Sequence, residues 1–187
     1  TGIIDHENRI IDWEEKPAVP RTNLASMGIY VFDTKYLLRT LRLDRKEVAF
    51  GMDIIPRAIN GDRVYAYPFY GYWRDVGTIQ SYWETNMDII RENSGISPEE
   101  WEIRPNPEYS GRPMDYAPAR FLPGSKVASS MISSGSVIEG TVINSVLSPG
   151  VRVKKGAVVT NSVIFEDGVI EENAVVDLAI LDKRAQV

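Results

Sequence analysis

Between Phe121 and Val187 the sequence repeats itself, and this repetition constrains the fold more than any other feature of the 187 residues. Asn144-Ser145-Val146-Leu147 returns seventeen residues later as Asn161-Ser162-Val163-Ile164, and again as Leu178-Ala179-Ile180-Leu181. Gly156-Ala157-Val158-Val159 returns as Asn173-Ala174-Val175-Val176. Upstream, Ser130-Met131-Ile132 and Val137-Ile138 fit a slightly shorter turn of the same pattern. Each unit holds apolar pairs separated by Gly, Asn, Asp, Ser or Pro. Such spacing suits a parallel β-helix of triangular section, with about six residues per face and about eighteen per coil. No helical segment lies between the apolar pairs, so a βαβ arrangement does not fit. Three to four coils make a short solenoid whose pattern is still running at Val187, so the last coil is expected to need a cap from this or another chain.

The residues before the repeats have a different texture. Short apolar runs on either side of His6-Glu7-Asn8 read as a hairpin over residues 1–13. Ala25-Ser26-Met27-Gly28-Ile29-Tyr30-Val31-Phe32 is rich in β-branched and aromatic residues and reads as a buried strand, and 64–69 reads as another. Three helices are expected. One is capped by Asp33 or Thr34, with Tyr36, Leu37, Leu38 and Leu41 on its apolar face. A short one covers 53–59. A third is capped by Thr78, with Ile79, Tyr82, Trp83, Met87 and Ile90 along one side. From about Arg91 to Pro118, scattered Pro and Gly break any period, which reads as a linker or an extended wrap. Its aromatic residues Trp101, Tyr109 and Tyr116 imply packing against a neighbour. The expected organisation is therefore 1–92, a linker at 93–120, and the β-helix at 121–187.

Composition narrows the function classes. A net charge of -5 argues against nucleic acid or an anionic membrane as the main partner, yet leaves local anion sites open. The absence of cysteine excludes disulfides and thiolate zinc sites and fits a cytoplasmic protein. No apolar run is long enough to span a bilayer. The chain opens at Thr1 directly in strand-like sequence, so it is read as part of a longer protein.

Four segments carry the chemistry: Glu15-Lys16-Pro17, Leu24 to Tyr30, Phe50-Gly51-Met52-Asp53-Ile54-Ile55-Pro56, and Gly71-Tyr72-Trp73-Arg74-Asp75-Val76-Gly77-Thr78. In this order, and before a β-helix, they resemble the C-terminal half of the ADP-glucose pyrophosphorylase (glucose-1-phosphate adenylyltransferase) family, and Ser81 to Met87 continues the match. The resemblance implies an α/β + β fold class. That is the C-terminal part of a nucleotidyltransferase domain, Rossmann-like with a mixed sheet, followed by a left-handed parallel β-helix of hexapeptide-like repeats. It also implies an enzyme of glycogen or starch synthesis that makes ADP-glucose and pyrophosphate from ATP and glucose 1-phosphate. Mg²⁺ would be the cofactor, and the expected assembly is a homotetramer regulated by metabolites. Phosphoryl-group chemistry of this kind depends on positioning and on electrostatic stabilisation.

Site roles follow from the resemblance, each beside a plainer alternative. Lys16 would hold the sugar phosphate as a point charge next to the rigid Pro17, or is a solvated surface lysine. Glu15 would accept hydrogen bonds from glucose hydroxyls, or is one charge in a surface run with Glu14. Ser26 would meet the sugar, or is a strand serine bonded to backbone. Tyr30 and Trp73 would line the same pocket, or are core aromatics. Asp75 would be the Mg²⁺ ligand, or a loop aspartate capping the helix near Thr78. Lys16 and Asp75 are the expected catalytic groups. Arg74 would brace the site, or pair elsewhere.

The sequence departs from the family pattern at Ala49, where many relatives carry an Asp that contacts the sugar. No Gly-rich loop for a triphosphate is present either, so these 187 residues alone are not expected to turn over substrate. Other readings are a non-catalytic regulatory or assembly subunit, and the same reaction on another sugar or nucleotide. An acyltransferase built on the β-helix would use a histidine base, and the single histidine, His6, stands in the hairpin turn instead.

Overall fold

The computed structural model describes residues 1–43, 49–103 and 116–187. They form two compact units, Thr1–Trp73 and Arg74–Val187.

The first unit begins with the expected hairpin. Strand β1 (Gly2–Ile4) runs antiparallel to β2 (Ile10–Trp13), with Gly2 opposite Trp13 and a register shift between Ile3 and Ile4. The Asp5 carboxylate closes the turn by accepting from the amides of Glu7 and Arg9, both at 2.9 Å. Asn8 takes the left-handed φ of 62° that such a turn needs. Helix α1 (Thr34–Leu43) is capped by Asp33, whose Oδ1 accepts from the Tyr36 amide at 2.9 Å. A π-helical turn over Phe50–Ile54 leads into α2 (Ile55–Gly61), with Pro56 in its first turn. Ile54, Ile55 and Ala58 anchor this pair and are at most 3% exposed.

Both further strands expected here are corrected. Ala25–Phe32 joins no ladder: the Leu24 carbonyl just ahead of it accepts from Gly2 at 3.1 Å, and Ile29 and Val31 are 74% and 98% exposed. Segment 64–69 reaches the hairpin only at its start, through an antiparallel bridge between Tyr65 and Arg9; Tyr67 is 90% exposed. A strand needs a partner for its amides and carbonyls, and β-propensity cannot supply one. Of the mixed sheet expected for this part, the described residues therefore form β1, β2 and that bridge. The apolar face expected for α1 is also only partly used, since Leu38 and Leu41 are about half exposed.

The second unit starts with helix α3 (Ile79–Ile90). Thr78 caps it, accepting from the Ser81 amide at 3.0 Å while Ser81 accepts from the Thr78 amide, a capping box. Met87 is fully buried, whereas Ile79, expected on the same face, is 80% exposed at the first turn.

Twelve short strands then build the β-helix: β3 (Arg120–Phe121), β4 (Lys126–Ala128), β5 (Met131–Ile132), β6 (Val137–Ile138), β7 (Thr141–Ile143), β8 (Val146–Leu147), β9 (Arg152–Val153), β10 (Val158–Thr160), β11 (Val163–Ile164), β12 (Val169–Ile170), β13 (Val175–Asp177) and β14 (Ile180–Leu181). They stack as three parallel sheets in the orders β3-β6-β9-β12, β4-β7-β10-β13 and β5-β8-β11-β14. Val146 pairs with Val163, and Val163 with Ile180, so each of these coils takes 17 residues rather than eighteen. One corner accounts for the difference. Only Asn161 and Ser162 separate β10 from β11, and Asn161 turns the chain with a φ of 49°.

The shorter early coil has a cause as well. Met131 pairs with Val146, a step of 15. The β6–β7 corner consists of Glu139 and Gly140 alone, where the β9–β10 corner runs from Lys154 to Ala157. Gly140 lies directly on the backbone of the next coil, and a Cβ there would stand 2.8 Å from the Lys154 carbonyl oxygen. A tight corner in this position requires glycine.

Inward residues stack coil upon coil: Ile138, Val153 and Ile170 from one sheet, Val142, Val159 and Val176 from the second, Leu147 and Ile164 from the third. Full burial of such side chains is worth about 1.5–3 kcal/mol each, as an upper estimate. α3 covers one outer face. Trp83 Nε1 donates to the Asn161 carbonyl at 2.7 Å, Tyr82 meets Phe165 edge-on, and the outward-facing Val163 is only 1% exposed.

Of the linker aromatics, Tyr116 packs over Gly135 and Gly150 and donates to Asp167 Oδ1 at 3.3 Å. Trp101 is about half exposed, and Tyr109 lies outside the described residues. Among the described residues, no helix is long and apolar enough to cross a membrane.

Candidate functional site

Glu14 alone links β2 to Glu15-Lys16-Pro17, so the hairpin fixes where the triplet starts, and the two adjacent acidic residues separate in role. Glu14 is tied down: its carboxylate pairs with Arg21 Nε and accepts from Thr1 Oγ1 at 3.4 Å. Arg21 also holds Asp12 at 2.6 Å, and that hydrogen bond keeps the Asp12 carboxyl below its ordinary value. Glu15, by contrast, has no hydrogen bond or ion pair among the described residues. Its carboxylate lies instead against Gly51, such that a Cβ on that glycine would come within 2.6 Å of Oε2.

Lys16 is also free of partners among the described residues, and its φ is +43°. A non-glycine residue in the left-handed region immediately before a proline is strained, and such strain concentrates at functional positions. A solvated surface lysine has no need of it.

Ser26 and Tyr30 come together. Ser26 Oγ and the Tyr30 hydroxyl are 3.1 Å apart, and Ser26 Oγ also accepts from the Gly28 amide at 3.1 Å. Gly28 takes a φ of +73°, which folds the segment back and brings the hydroxyls together. The Tyr30 ring stacks on Phe50 at 5.4 Å, so it is neither isolated nor part of a closed core. The backbone at Phe50–Gly51 thus lies beside both Glu15 and Tyr30. Trp13 fixes it from a third side, its Nε1 donating to the Gly51 carbonyl at 2.8 Å. Trp73, the last residue of this unit, is 44% exposed, which does not suit a core aromatic.

Ala49 opens the π-helical turn. Its amide donates to Asp53 Oδ2 at 3.0 Å, so Asp53 closes the turn from within.

In the second unit, Arg74 pairs with Glu84 and, at 2.8 Å, with Asp88, so it braces the middle and last turn of α3. Asp75 has no partner among the described residues. Thr78 performs the capping that Asp75 could have supplied, which leaves the carboxylate available. An exposed, unpaired carboxylate is a hard oxygen donor and suits one ligand position of magnesium. No cluster of three or more metal-binding side chains occurs among the described residues, so further ligands would be phosphate oxygens, water or other protein groups.

Trp13 and Gly51 were not among the residues that sequence reasoning assigned to the site. The Phe50-Gly51 pair was visible as a motif, but nothing in the sequence tied Trp13 to it.

Comparison with known proteins divides the chain later than the two compact units do, leaving α3 with the first match rather than the second. Residues 2–92 match the nucleotidyl transferase family, and residues 117–187 match the GlmU-like C-terminal hexapeptide family. The glucose-1-phosphate adenylyltransferase of Thermosipho melanesiensis is 43% identical over 163 residues, 84% of this chain and 38% of the relative. That of Clostridium beijerinckii is 44% identical over 158 residues, 80% of this chain and 39% of the relative. That of Thermotoga maritima is 40% identical over 163 residues, 84% of this chain and 38% of the relative. The chain thus spans well under half the length of the curated relatives it matches.

Proposed function

The chain belongs to the glucose-1-phosphate adenylyltransferase family, and from that premise we propose that its first unit is the sugar-phosphate side of an enzyme making ADP-glucose. In the reaction, a phosphate oxygen of glucose 1-phosphate attacks the α-phosphorus of ATP. The bond from that phosphorus to the bridging oxygen breaks, and pyrophosphate leaves with the bond's electrons. The protein's contribution is to bring two polyanions together and to hold them in line.

Lys16 is assigned the sugar phosphate, its ammonium offsetting the negative charge of the attacking group. Glu15 is assigned the glucose hydroxyls, because a free carboxylate accepts hydrogen bonds on both oxygens. The paired hydroxyls of Ser26 and Tyr30 offer donors and acceptors to the same sugar, and Trp73 offers an aromatic face. Asp75 would hold Mg²⁺, which screens phosphate charge when bound. A homotetramer, metabolite regulation and a cytoplasmic location belong to the same reading.

One observation carries the assignment: Lys16 keeps an unpaired ammonium on a strained backbone, beside a Glu15 that is also unpaired. Steady-state kinetics of the full-length protein test it. Lys16→Ala is expected to raise KM for glucose 1-phosphate at least about a hundredfold, as for loss of a charged contact, and to leave KM for ATP within a factor of two. Equal rises in both KM values would count against it.

A further inference from the structure

The turn that starts at Phe50 lies next to two assigned sugar-site residues, Glu15 and Tyr30, and its construction is rigid. Ile54 and Ile55 bury its end in the first unit, each 3% exposed. Asp53 closes it internally through the Ala49 amide at 3.0 Å, and Ala49 in turn accepts from the Asp53 amide at 3.0 Å. Trp13, at the end of β2, pins the Gly51 carbonyl with its indole N–H. Turns of this π-helical type are rare and recur at functional sites. The Glu15 carboxylate, with no hydrogen bond or ion pair of its own, rests on the α-carbon face of Gly51. What sets its position is therefore contact with a fixed piece of backbone.

We propose that Gly51 is a positioning residue, a flat seat held in place by Trp13 that sets where the Glu15 carboxylate meets the glucose hydroxyls. The proposal rests on the assignment of Glu15 to the sugar. A Cβ at this position would stand 2.6 Å from Glu15 Oε2 and 3.2 Å from its carboxyl carbon, closer than real contacts allow. The group that must give way is the free end of a flexible side chain, so the fold survives and the carboxylate moves. Trp13 reaches the same seat from the other side. Trp13→Phe removes the N–H that holds the Gly51 carbonyl and keeps an aromatic ring, smaller than the indole, at a half-buried position.

The test uses the full-length protein, with Gly51→Ala, Trp13→Phe and Glu15→Gln singly and in pairs. KM is measured separately for glucose 1-phosphate and for ATP, alongside the melting temperature. Gly51→Ala is expected to raise KM for glucose 1-phosphate about tenfold, as a displacement below 1 Å can do, with KM for ATP and the melting temperature unchanged. Trp13→Phe is expected to raise it about threefold, the scale of one hydrogen bond. In the Glu15→Gln background both effects shrink to less than twofold, because the seat then has little left to position. Full additivity with Glu15→Gln, or an equal rise in KM for ATP, overturns the proposal and makes Gly51 a general structural residue. No effect of Gly51→Ala or Trp13→Phe while Glu15→Gln is impaired overturns it and leaves the sugar site standing. No effect of Glu15→Gln itself removes the assignment on which the seat depends.

Discussion

The two units solve the burial problem in opposite ways. In the β-helix every coil is a partner for the next, so a strand of two or three residues finds its ladder within 15 or 17 residues along the chain. Its inward side chains close over one another, and Ile138, Val142, Leu147, Ile164 and Ile170 are completely buried. The first unit leaves Val19, Ile29, Val31, Tyr67 and Tyr70 open, from 74% to 98% exposed. Its apolar segments have strand composition without local partners. A repeat carries its own neighbours, whereas a mixed sheet depends on contacts that composition cannot provide.

The largest expected effect breaks this contrast at its strongest point. Leu147→Ala is expected to destabilise the β-helix by about 2–5 kcal/mol in urea denaturation of the 187-residue chain, through lost transfer energy and a cavity between coils. Val31→Ser in the same chain is expected to change stability by less than about 0.5 kcal/mol, because the side chain is already in water. Comparable losses at the two positions would mean that Val31 is covered in solution.

A smaller effect sharpens the ladder at the tight corner. Asn144 Nδ2 donates to Asn161 Oδ1 at 2.7 Å, Asn161 Nδ2 donates to Asp177 Oδ1 at 2.8 Å, and Ser145 Oγ accepts from the Ser162 amide at 3.1 Å. Leu178 occupies the same left-handed corner one coil later, with φ +52° and without an amide side chain. Asn161→Ala is expected to cost about 1–2 kcal/mol and Leu178→Asn to gain up to about 1 kcal/mol, since asparagine tolerates this conformation better than either. Thermal unfolding of the two variants side by side measures both.

The smallest effect is a pH dependence. Hydrogen bonds from Thr160 and then Asn161 hold the Asp177 carboxyl below its ordinary 3.8. A depressed folded-state value means stability that is fully present above the unfolded value and lost as pH falls below it toward the folded one. The melting temperature is therefore expected to dip between about pH 4 and pH 2, and Asp177→Asn is expected to flatten that part of the dip. An unchanged acid limb in the variant would show that the carboxylate contributes nothing there.

Legibility from sequence followed the same division. The Asn-Ser echo announced the β-helix because each echoed residue does the same job in each coil, as a left-handed corner, a ladder hydroxyl or an inward apolar pair. The echoes at seventeen residues already carried the coil length, and the two-residue corner at Asn161 and Ser162 is what shortens it from about eighteen. In the first unit, the hairpin and the Thr78 cap were readable, since both are settled within a few residues. The Ala25–Phe32 and 64–69 strands were misread, because β-branched composition was taken to imply a ladder. The candidate site residues Glu15, Lys16, Ser26, Tyr30, Trp73 and Asp75 rest on motif order, which does not show the freedom of Glu15 beside a tethered Glu14. That contrast depends on Arg21, and the Gly51 seat depends on Trp13, thirty-eight residues away in sequence.

Amide NMR of the 187-residue chain, titrated with glucose 1-phosphate, bears most directly on what separates the two units. Saturable shifts are expected at Glu15, Lys16, Ser26 and Gly51, none in the β-helix between Phe121 and Val187, and none anywhere in Lys16→Ala. Shifts confined to the β-helix, or equal titration of Lys16→Ala, would contradict the placement of the sugar phosphate on the first unit.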